Sequence, residues 1–196
     1  QALVAPVAST SGLDYSGDAT DDAGFGIVMR DDTYRGTLNK DYFTVGTSPA
    51  FYFSLKMTIG DVSDTDDCFV GFRKVENHQD ALDSYDEMAG FNIISGDIKT
   101  ETIINNATTV TTDITSGGGD GAGNWADGGT HTLKVLVSGD GVVTYQIDGE
   151  AASAAAAFTF DDGENVTPTL QFLNTDTTTT LGLILIEWES GLQTDA

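Results

Sequence analysis

Apolar and polar residues alternate along several short stretches of the chain, and this period of two restricts its fold more than any other feature. In residues 51–59 every odd position is apolar, from Phe51 to Ile59, and most even positions are polar. Successive side chains of a β-strand point to opposite faces, so such a stretch buries one face and exposes the other. The same pattern recurs in residues 131–137 and 142–148. The chain is therefore predicted to form strands.

Further strands are predicted where apolar and β-branched residues gather between turn-forming residues. The Gly-Asp-Gly link within residues 138–141 joins two alternating stretches and is typical of a hairpin. Residues 181–186 are apolar on both faces, which predicts a central strand covered on both sides or a face used for assembly. Helix signals are weak: residues 79–88 would form one or two turns, and residues 151–157 are too short to favour an isolated helix. Residues 169–173 and 181–188 are predicted to form two further strands. The weaker strand candidates are residues 24–29, 42–45, 68–75, 89–95, 98–104 and 108–114.

About 10–12 short strands with turns between them predict an all-β fold, a β-sandwich or jelly roll of two antiparallel sheets. The length of 196 residues suits one domain. Residues 1–22 are small and polar and are predicted to form an extended N-terminal arm, and residues 23–196 a single β-sandwich domain. The glycine-rich residues 116–123 are interpreted as a long surface loop of that domain.

The charge of the chain excludes two classes of partner. There are 31 acidic and 8 basic side chains, a formal net charge of −23. Nucleic acid requires a basic face, and anionic membrane surfaces attract basic segments. No apolar run approaches the roughly 18 residues of a membrane span. We therefore predict that neither nucleic acid nor membrane is a partner.

Nucleophilic catalysis finds little support in the sequence. Cys68 is the only cysteine, which excludes an internal disulfide and a cysteine-only zinc site. His78 and His131 are the only histidines. Cys68 and His131 each begin a predicted strand, and a buried free cysteine usually serves packing. The chain has no Gly-x-Ser-x-Gly elbow and no P-loop.

Acid pairs are the other catalytic candidates, because a glycoside hydrolase needs two carboxylates about a sugar cleft. Glu187 and Glu189 occupy alternate positions, but they end the last predicted strand and lack a third acid. Asp83, Asp86 and Glu87 lie in a predicted loop. We therefore assign no catalytic residue and predict that the protein is not an enzyme.

Residues that could bind a metal or a sugar are the remaining candidates. Residues 61–67 hold four carboxylates, which are ligands that calcium prefers, but they lack the glycine and closing glutamate of an EF-hand. A solvated turn is favoured there and at residues 161–164, so no metal ligand and no cofactor are assigned. Trp125 follows the glycine-rich loop, where a ring that covers the edge of the core is favoured over a sugar platform. The other aromatic candidates for a sugar site are Trp188, Tyr15, Tyr34, Tyr52 and Tyr85.

A hairpin motif resembles a known family. Residues 125–135 (WADGGTHTLKV) and 143–150 (VTYQIDGE) are similar to a hairpin of concanavalin A-like and laminin-G-like jelly rolls. Residues 158–161, 167–173 and 183–188 continue the similarity downstream. The resemblance implies a concanavalin A-like jelly-roll β-sandwich.

A second pair of segments resembles a smaller group among the proteins with this sandwich. Residues 49–62 (PAFYFSLKMTIGDV) and 66–72 (DDCFVGF) are similar to a segment of tailed-phage virion proteins with the same sandwich. Gly90-Phe91-Asn92 and the threonine-rich residues 108–115 fall where such proteins have them. The resemblance implies a capsid decoration or cement protein on the virion surface. Its partners would be the major capsid protein and further copies of itself, in a dimer or trimer.

Two other functions stay open. One is a carbohydrate-binding, lectin-like module for adsorption to host glycans. The other is a divergent glycosidase or lyase, against which the lack of an identifiable acid pair argues. On the capsid hypothesis, residues 1–22 are a candidate for reaching a neighbouring subunit by strand addition.

Overall fold

The computed structural model describes residues 7–15, 24–28, 42–79, 81–115, 123–174 and 182–193. Residues 1–6 and 16–22 of the predicted arm, Tyr34 and residues 116–122 of the glycine-rich loop lie outside these ranges. The described residues form fourteen strands and two short 3-10 turns, Val62–Asp64 and Leu82–Ser84. None of their helical segments has the length and apolarity that crossing a membrane requires. The strands are β1 (Val7–Ser9), β2 (Gly12–Asp14), β3 (Gly24–Val28), β4 (Phe43–Thr44), β5 (Phe51–Ile59), β6 (Thr65–Lys74), β7 (Met88–Ile94), β8 (Asp97–Ile103), β9 (Val110–Asp113), β10 (Thr130–Val137), β11 (Val143–Ile147), β12 (Glu150–Ala151), β13 (Asn165–Asn174) and β14 (Leu183–Leu192).

The strands form two antiparallel sheets. Sheet 1 has the order β1-β2-β14-β5-β10-β11-β12, and sheet 2 has the order β3-β13-β6-β7-β8-β9, with β4 also paired to β13. The predicted all-β sandwich of two antiparallel sheets is thereby confirmed. Neighbours such as β13 and β6 are distant in sequence, so the sandwich is held together by long-range pairing.

The main core lies between the sheets and follows the alternation of the sequence. Along β5 the five odd residues, from Phe51 to Ile59, are fully buried, and the even residues are half-buried on the outer face of sheet 1. Strand β10 alternates in the same way. Each large apolar side chain buried in this layer contributes about 1.5–3 kcal/mol to the free energy of unfolding.

Sheet 2 differs because its central strands are buried on both faces. The crossing segment, residues 75–79 and 81–87, lies on its outer face, and Leu82 and Tyr85 from this segment form a second small core with Phe69, Met88 and Ile103. The Phe69 ring lies so close to Gly90 that a Cβ atom there would be 2.7 Å from it. The position of the Phe69 ring therefore requires glycine at position 90 of β7.

Two weaker predictions have opposite outcomes in the structure. Residues 79–88 contain one 3-10 turn, Leu82–Ser84, in keeping with the predicted one or two turns. Of the two alternatives for residues 181–186, the strand covered on both faces is wrong, because Ile186 is 36% exposed. The other alternative, a face used for assembly, stays a prediction. Strand β14 has β2 and β5 as neighbours, but the described residues cover only its inner face. Residues 7–14 of the predicted arm form a hairpin that extends sheet 1 beside β14.

Candidate functional site

The outer face of sheet 2 concentrates the buried polar side chains of the described residues. The register places Gln171, Phe69 and Asn92 in one row across β13, β6 and β7. Buried polar groups almost always need hydrogen-bond partners, so each of these side chains must be held by specific neighbours. The buried polar and charged residues of this sheet and its connections include Arg73, Glu87, Asn92, Thr100, Glu101, Thr102, Thr167, Thr169 and Gln171.

One group on this face is centred on Tyr85. Its Oη donates to Oε1 of Gln171 at 2.9 Å and lies 3.4 Å from Nδ1 of His78. Gln171 Nε2 donates to the carbonyl oxygen of Gln79 at 3.2 Å, and the Gln79 N–H donates to Tyr85 Oη at 3.3 Å. The Arg73 guanidinium stacks over the Tyr85 ring, 4.8 Å from its centroid. This Tyr85 group therefore joins β6, β13 and the crossing segment.

The Tyr85 group holds the segment in place. Tyr85 and Gln171 are 1% exposed and Arg73 is 5% exposed, whereas His78 is exposed. Arg73 donates from one terminal nitrogen to the carbonyl oxygens of Lys74 and Glu76, both at 3.1 Å. Tyrosine and histidine can transfer protons in enzymes. In this structure, however, the tyrosine is closed off from solvent by its own segment.

A cavity of about 610 Å³ opens beside the crossing segment on the same face. Its volume lies in the range of small-molecule sites. The Leu82–Ser84 turn forms one wall, and strands β6 and β8, the end of β13 and Thr109 before β9 form the rest. The lining residues are Asp66, Asp67, Ala81, Leu82, Asp83, Glu101, Thr109 and Leu173.

Asn92 fixes two of the cavity's carboxylates. Its Nδ2 donates to Oδ1 of Asp67 at 2.6 Å and to Oε2 of Glu101 at 2.7 Å. Its Oδ1 accepts the backbone N–H of Cys68 at 3.0 Å. The backbone contact orients the amide, so both N–H groups point toward the acids. The other oxygens, Oδ2 of Asp67 and Oε1 of Glu101, accept no hydrogen bond from residues within the described ranges.

The surroundings of Asp67 and Glu101 disfavour their charged forms. Burial, the largest cause, raises the pKa of Asp67, and the negative charges of Asp66 and Asp83 raise it further. Burial likewise raises the pKa of Glu101, with Asp67 and Asp83 adding to the effect. The hydrogen bonds from Asn92 oppose both shifts. These carboxylates would bind a donor or a cation more favourably than solvated ones.

The cysteine and histidine candidates lie elsewhere. Cys68 is fully buried on the inner face of sheet 2, and burial raises the pKa of its thiol. His131 lies 2.7 Å from Asp148 and edge-on to Trp125, with ring centroids 4.7 Å apart. Trp125 is 2% exposed and donates to the carbonyl oxygen of Gly129. These side chains pack at the core and its edge.

The acidic candidates separate into different places. Glu187 and Glu189 lie on the outer face of sheet 1, near Lys56 and Tyr52 respectively. Asp86 pairs with Lys74 at 2.7 Å. Of the acids considered from the sequence, Asp83 and the end of the run at residues 61–67 reach the cavity. Asp61 instead accepts the backbone N–H of Ser63 at the start of the first 3-10 turn. No group of three or more His, Cys, Asp or Glu suited to a metal ion occurs in the part of the chain that the structure describes.

Sequence reasoning missed Asn92, Glu101 and Gln171. Asn92 had a usable signal, because an amide stands between Phe91 and Ile93 in a strand that is otherwise apolar. Such a buried polar residue needs a partner. Nothing in the local sequence shows that its partners come from β6 and β8.

No protein-family model and no curated protein sequence matches the chain. Solved structures do match its fold. A legume lectin-like domain from Entamoeba histolytica is 8% identical with a TM-score of 0.61, over 96% of this chain and 87% of that one. Alginate lyase A1-II', of polysaccharide lyase family 7, is 10% identical with a TM-score of 0.60, over 95% and 82%. A functionally unknown protein from Saccharomyces cerevisiae is 15% identical with a TM-score of 0.54, over 97% and 93%.

These structures correct the prediction that the protein is not an enzyme. Several neighbours with this sandwich, including A1-II' and AlyC3, are alginate lyases, so the architecture does not separate the chain from enzymes. The supporting argument also fails, because Asp67 and Glu101 form an acid pair that their sequence positions conceal. The neighbours give no link to a phage virion, and that part of the resemblance stays a prediction. They establish the coarser conclusion: the chain has a jelly-roll β-sandwich fold like that of concanavalin A-like and legume lectin-like domains.

Proposed function

We propose that the chain binds carbohydrate in the cavity on the outer face of sheet 2. The observation that carries this proposal is the pairing of oriented acceptors with apolar walls. Asp67 and Glu101 are held by Asn92 and keep acceptor oxygens for a ligand, while Leu82 and Leu173 line the same space. A sugar presents hydroxyl donors and apolar C–H groups together, and sites of this kind combine a few aimed polar groups with apolar lining.

The fold supports the same proposal. One neighbour is a lectin-like domain, and others are polysaccharide lyases, one of them solved with dimannuronate. A shared sandwich by itself does not transfer an activity. The argument therefore depends on the cavity, and the neighbours make carbohydrate the first class of ligand to test.

A glycan array followed by isothermal titration calorimetry tests the proposal. We expect Glu101→Ala to weaken binding of the identified glycan at least tenfold, because a buried acceptor aimed into the cavity is lost. The matched control is Glu150→Ala, an exposed glutamate at the start of β12, which should bind like the wild-type protein. Equal binding by both variants, or no glycan bound by the wild type, would refute the proposal. The same samples are assayed for new reducing ends, which would reveal cleavage of the bound glycan.

The capsid role predicted from the sequence remains a separate proposal. It places the chain on a virion surface with the major capsid protein and further copies of itself as partners. Mass spectrometry of purified virions tests it, since a decoration protein would be present at high copy number.

A further inference from the structure

The two ends of the crossing segment meet beside the turn that precedes β13. At the end of β6, the Lys74 N–H donates to the carbonyl oxygen of Glu87, the last residue before β7, at 2.8 Å. Lys74 Nζ contacts Asp86 Oδ2 at 2.7 Å and Glu164 Oε1 at 3.0 Å. The Asp86 N–H donates to Oε1 of Glu76 at 2.8 Å. These residues, Lys74, Glu76, Asp86 and Glu87, form the Lys74 group, which holds the two ends of the segment together.

Glu87 is the buried acid of the Lys74 group, and its carboxyl group is only half satisfied. Glu87 is 0% exposed, and its Oε1 accepts the Asp161 N–H at 2.9 Å. Its Oε2 is also buried and has no hydrogen-bond partner in the part of the chain that the structure describes. An ionised carboxylate accepts at both oxygens, and leaving one of them buried without a donor is costly. The closed arrangement therefore suits the protonated acid better than the carboxylate.

The charged groups that face Glu87 also disfavour its ionised form. They come from three elements: Lys74 at the end of β6, Asp86 in the crossing segment, and Asp161 with Glu164 in the turn before β13. The one cation of these four, Lys74, is already shared by Asp86 and Glu164. Burial is the main cause that raises the pKa of Glu87, and the charges of Asp161 and Glu164 add to the shift. An ionised Glu87 would therefore gain from contact with water, which the closed arrangement excludes.

Hydration of Glu87 would affect the cavity through the crossing segment. Glu87 reaches water when the Lys74 group moves away from the turn at residues 161–164. Tyr85 lies two positions before Glu87, so this movement also displaces Tyr85 from Gln171. The segment supplies Ala81, Leu82 and Asp83 to the lining of the cavity. Opening the segment would therefore remove one wall of the cavity.

We infer that the crossing segment is a pH-controlled gate over the cavity, closed while Glu87 is protonated and opened by its ionisation. At acidic pH Glu87 is uncharged in both states, and the contacts of the segment keep it closed. As pH rises above the ordinary pKa of glutamate, the open state releases the proton more readily than the closed state, so the open population grows. The effect on ligand binding rests on the proposed carbohydrate-binding function, whereas the opening of the segment does not.

Hydrogen exchange of the full chain at two pH values tests the gate. Exchange is expressed as protection factors, which remove the intrinsic effect of pH on the exchange rate. We expect the amides of residues 81–87 to be less protected than those of β5 and β10, with protection that falls at least about tenfold between about pH 5 and pH 8. Glu87→Gln should abolish this fall. Glu150→Gln, which removes one charge at the exposed start of β12, should retain it.

Glu164→Gln tests the gate from the other side of the Lys74 group. It removes a charge that disfavours ionised Glu87, and it frees Lys74 from one of its two acids. The fall in protection between the two pH values should therefore be smaller than in the wild-type protein. This variant replaces Glu87→Gln if the latter does not fold.

Three exchange results would overturn the inference. Equal protection in residues 81–87 and in β5 and β10 would show that the segment opens only when the whole sandwich unfolds. A wild-type segment whose protection does not change with pH would exclude the gate, and so would a pH response that Glu87→Gln and Glu164→Gln leave unchanged.

Ligand binding provides the second readout. The glycan identified on the array should bind the wild-type protein more weakly at about pH 8 than at about pH 5, and this difference should vanish in Glu87→Gln. If the segment opens and the affinity stays the same, the segment does not control the cavity and the inference fails. If no glycan binds, the proposed function fails, while the exchange measurement still decides whether the segment opens with pH.

Discussion

Asp67 on β6 and Glu101 on β8 accept hydrogen bonds from the same nitrogen atom, although strand β7 separates their strands. That nitrogen belongs to Asn92 on β7. Because β7 lies between β6 and β8, the Asn92 side chain reaches both acids. Both acids are more difficult to ionise than free side chains, because burial raises the pKa of each. The arrangement therefore makes the protein's stability dependent on pH at the same place where a ligand would bind.

Replacing Asn92 should destabilise the protein most at neutral pH. Asn92→Ala removes the donor shared by two buried acids and the acceptor of the Cys68 N–H, and each unsatisfied group costs about 1–3 kcal/mol. We expect a smaller loss at about pH 3, where protonated carboxyl groups need less compensation. Urea unfolding at both pH values measures this difference. The control is Asn77→Ala on the exposed part of the crossing segment, and an equal loss at both pH values would contradict the explanation.

Glu101→Gln should stabilise the protein at neutral pH while it weakens ligand binding. The pKa of Glu101 is raised on folding, so the folded state holds a proton more tightly than the unfolded state does. Stability is then lost as pH rises above the ordinary pKa of glutamate, and the uncharged amide removes that loss. The expected order is a higher free energy of unfolding than wild type at about pH 7, with a smaller difference at about pH 3. Destabilisation of the variant at neutral pH would disprove this reading of the site.

Glu87 provides a second pH effect, outside the cavity. It is fully buried, its Oε1 accepts the Asp161 N–H at 2.9 Å, and its Oε2 has no partner in the described part of the chain. Burial is the main cause that raises its pKa from 4.5 to about 7. The folded state therefore keeps a proton that the unfolded state has released, and stability falls as pH rises between these values, by up to about 3 kcal/mol.

The corresponding variant is Glu87→Gln, which keeps an acceptor oxygen and cannot ionise. We expect thermal unfolding of the wild-type protein to shift to lower temperature between about pH 5 and pH 8. The variant should lose the part of that shift that comes from Glu87, whereas Glu150→Gln, at the exposed start of β12, should retain it. Parallel profiles for wild type and Glu87→Gln would show that Glu87 does not titrate in this range.

Tyr85→Phe should loosen the crossing segment without unfolding the sandwich. The change removes the hydroxyl that donates to Gln171 and leaves a buried amide oxygen without its partner, at a cost of about 1–3 kcal/mol. Hydrogen exchange should accelerate in residues 75–87 more than in β5 or β10, because local opening needs less free energy than global unfolding. Tyr52→Phe, which loses a surface contact with Glu189, is the control. Uniform acceleration across the chain would argue against a locally held segment.

The strands could be predicted from the sequence because alternation is a local property. The buried residues of β5 and the hairpin that joins β10 to β11 follow from neighbours within a few positions, and the resemblance of residues 125–150 indicated the right class of sandwich. The cavity, in contrast, does not follow from local sequence. The acids that line it come from β6, a turn and β8. The sequence analysis interpreted Asp66 and Asp67 as part of a solvated turn and Asp83 as part of a loop, and it did not single out Glu101.

The outer face of sheet 2 was decided by tertiary structure. Tyr85 bonds to Gln171, and Asp67 and Glu101 share the Asn92 amide, because the order and register of β13, β6, β7 and β8 bring these strands together. Leu82 and Tyr85 then pack over this face. A period of two specifies which side of a strand is apolar, and it does so from short-range spacing alone. It does not specify which strand lies beside it, because pairing between distant strands depends on the packing of the whole sandwich.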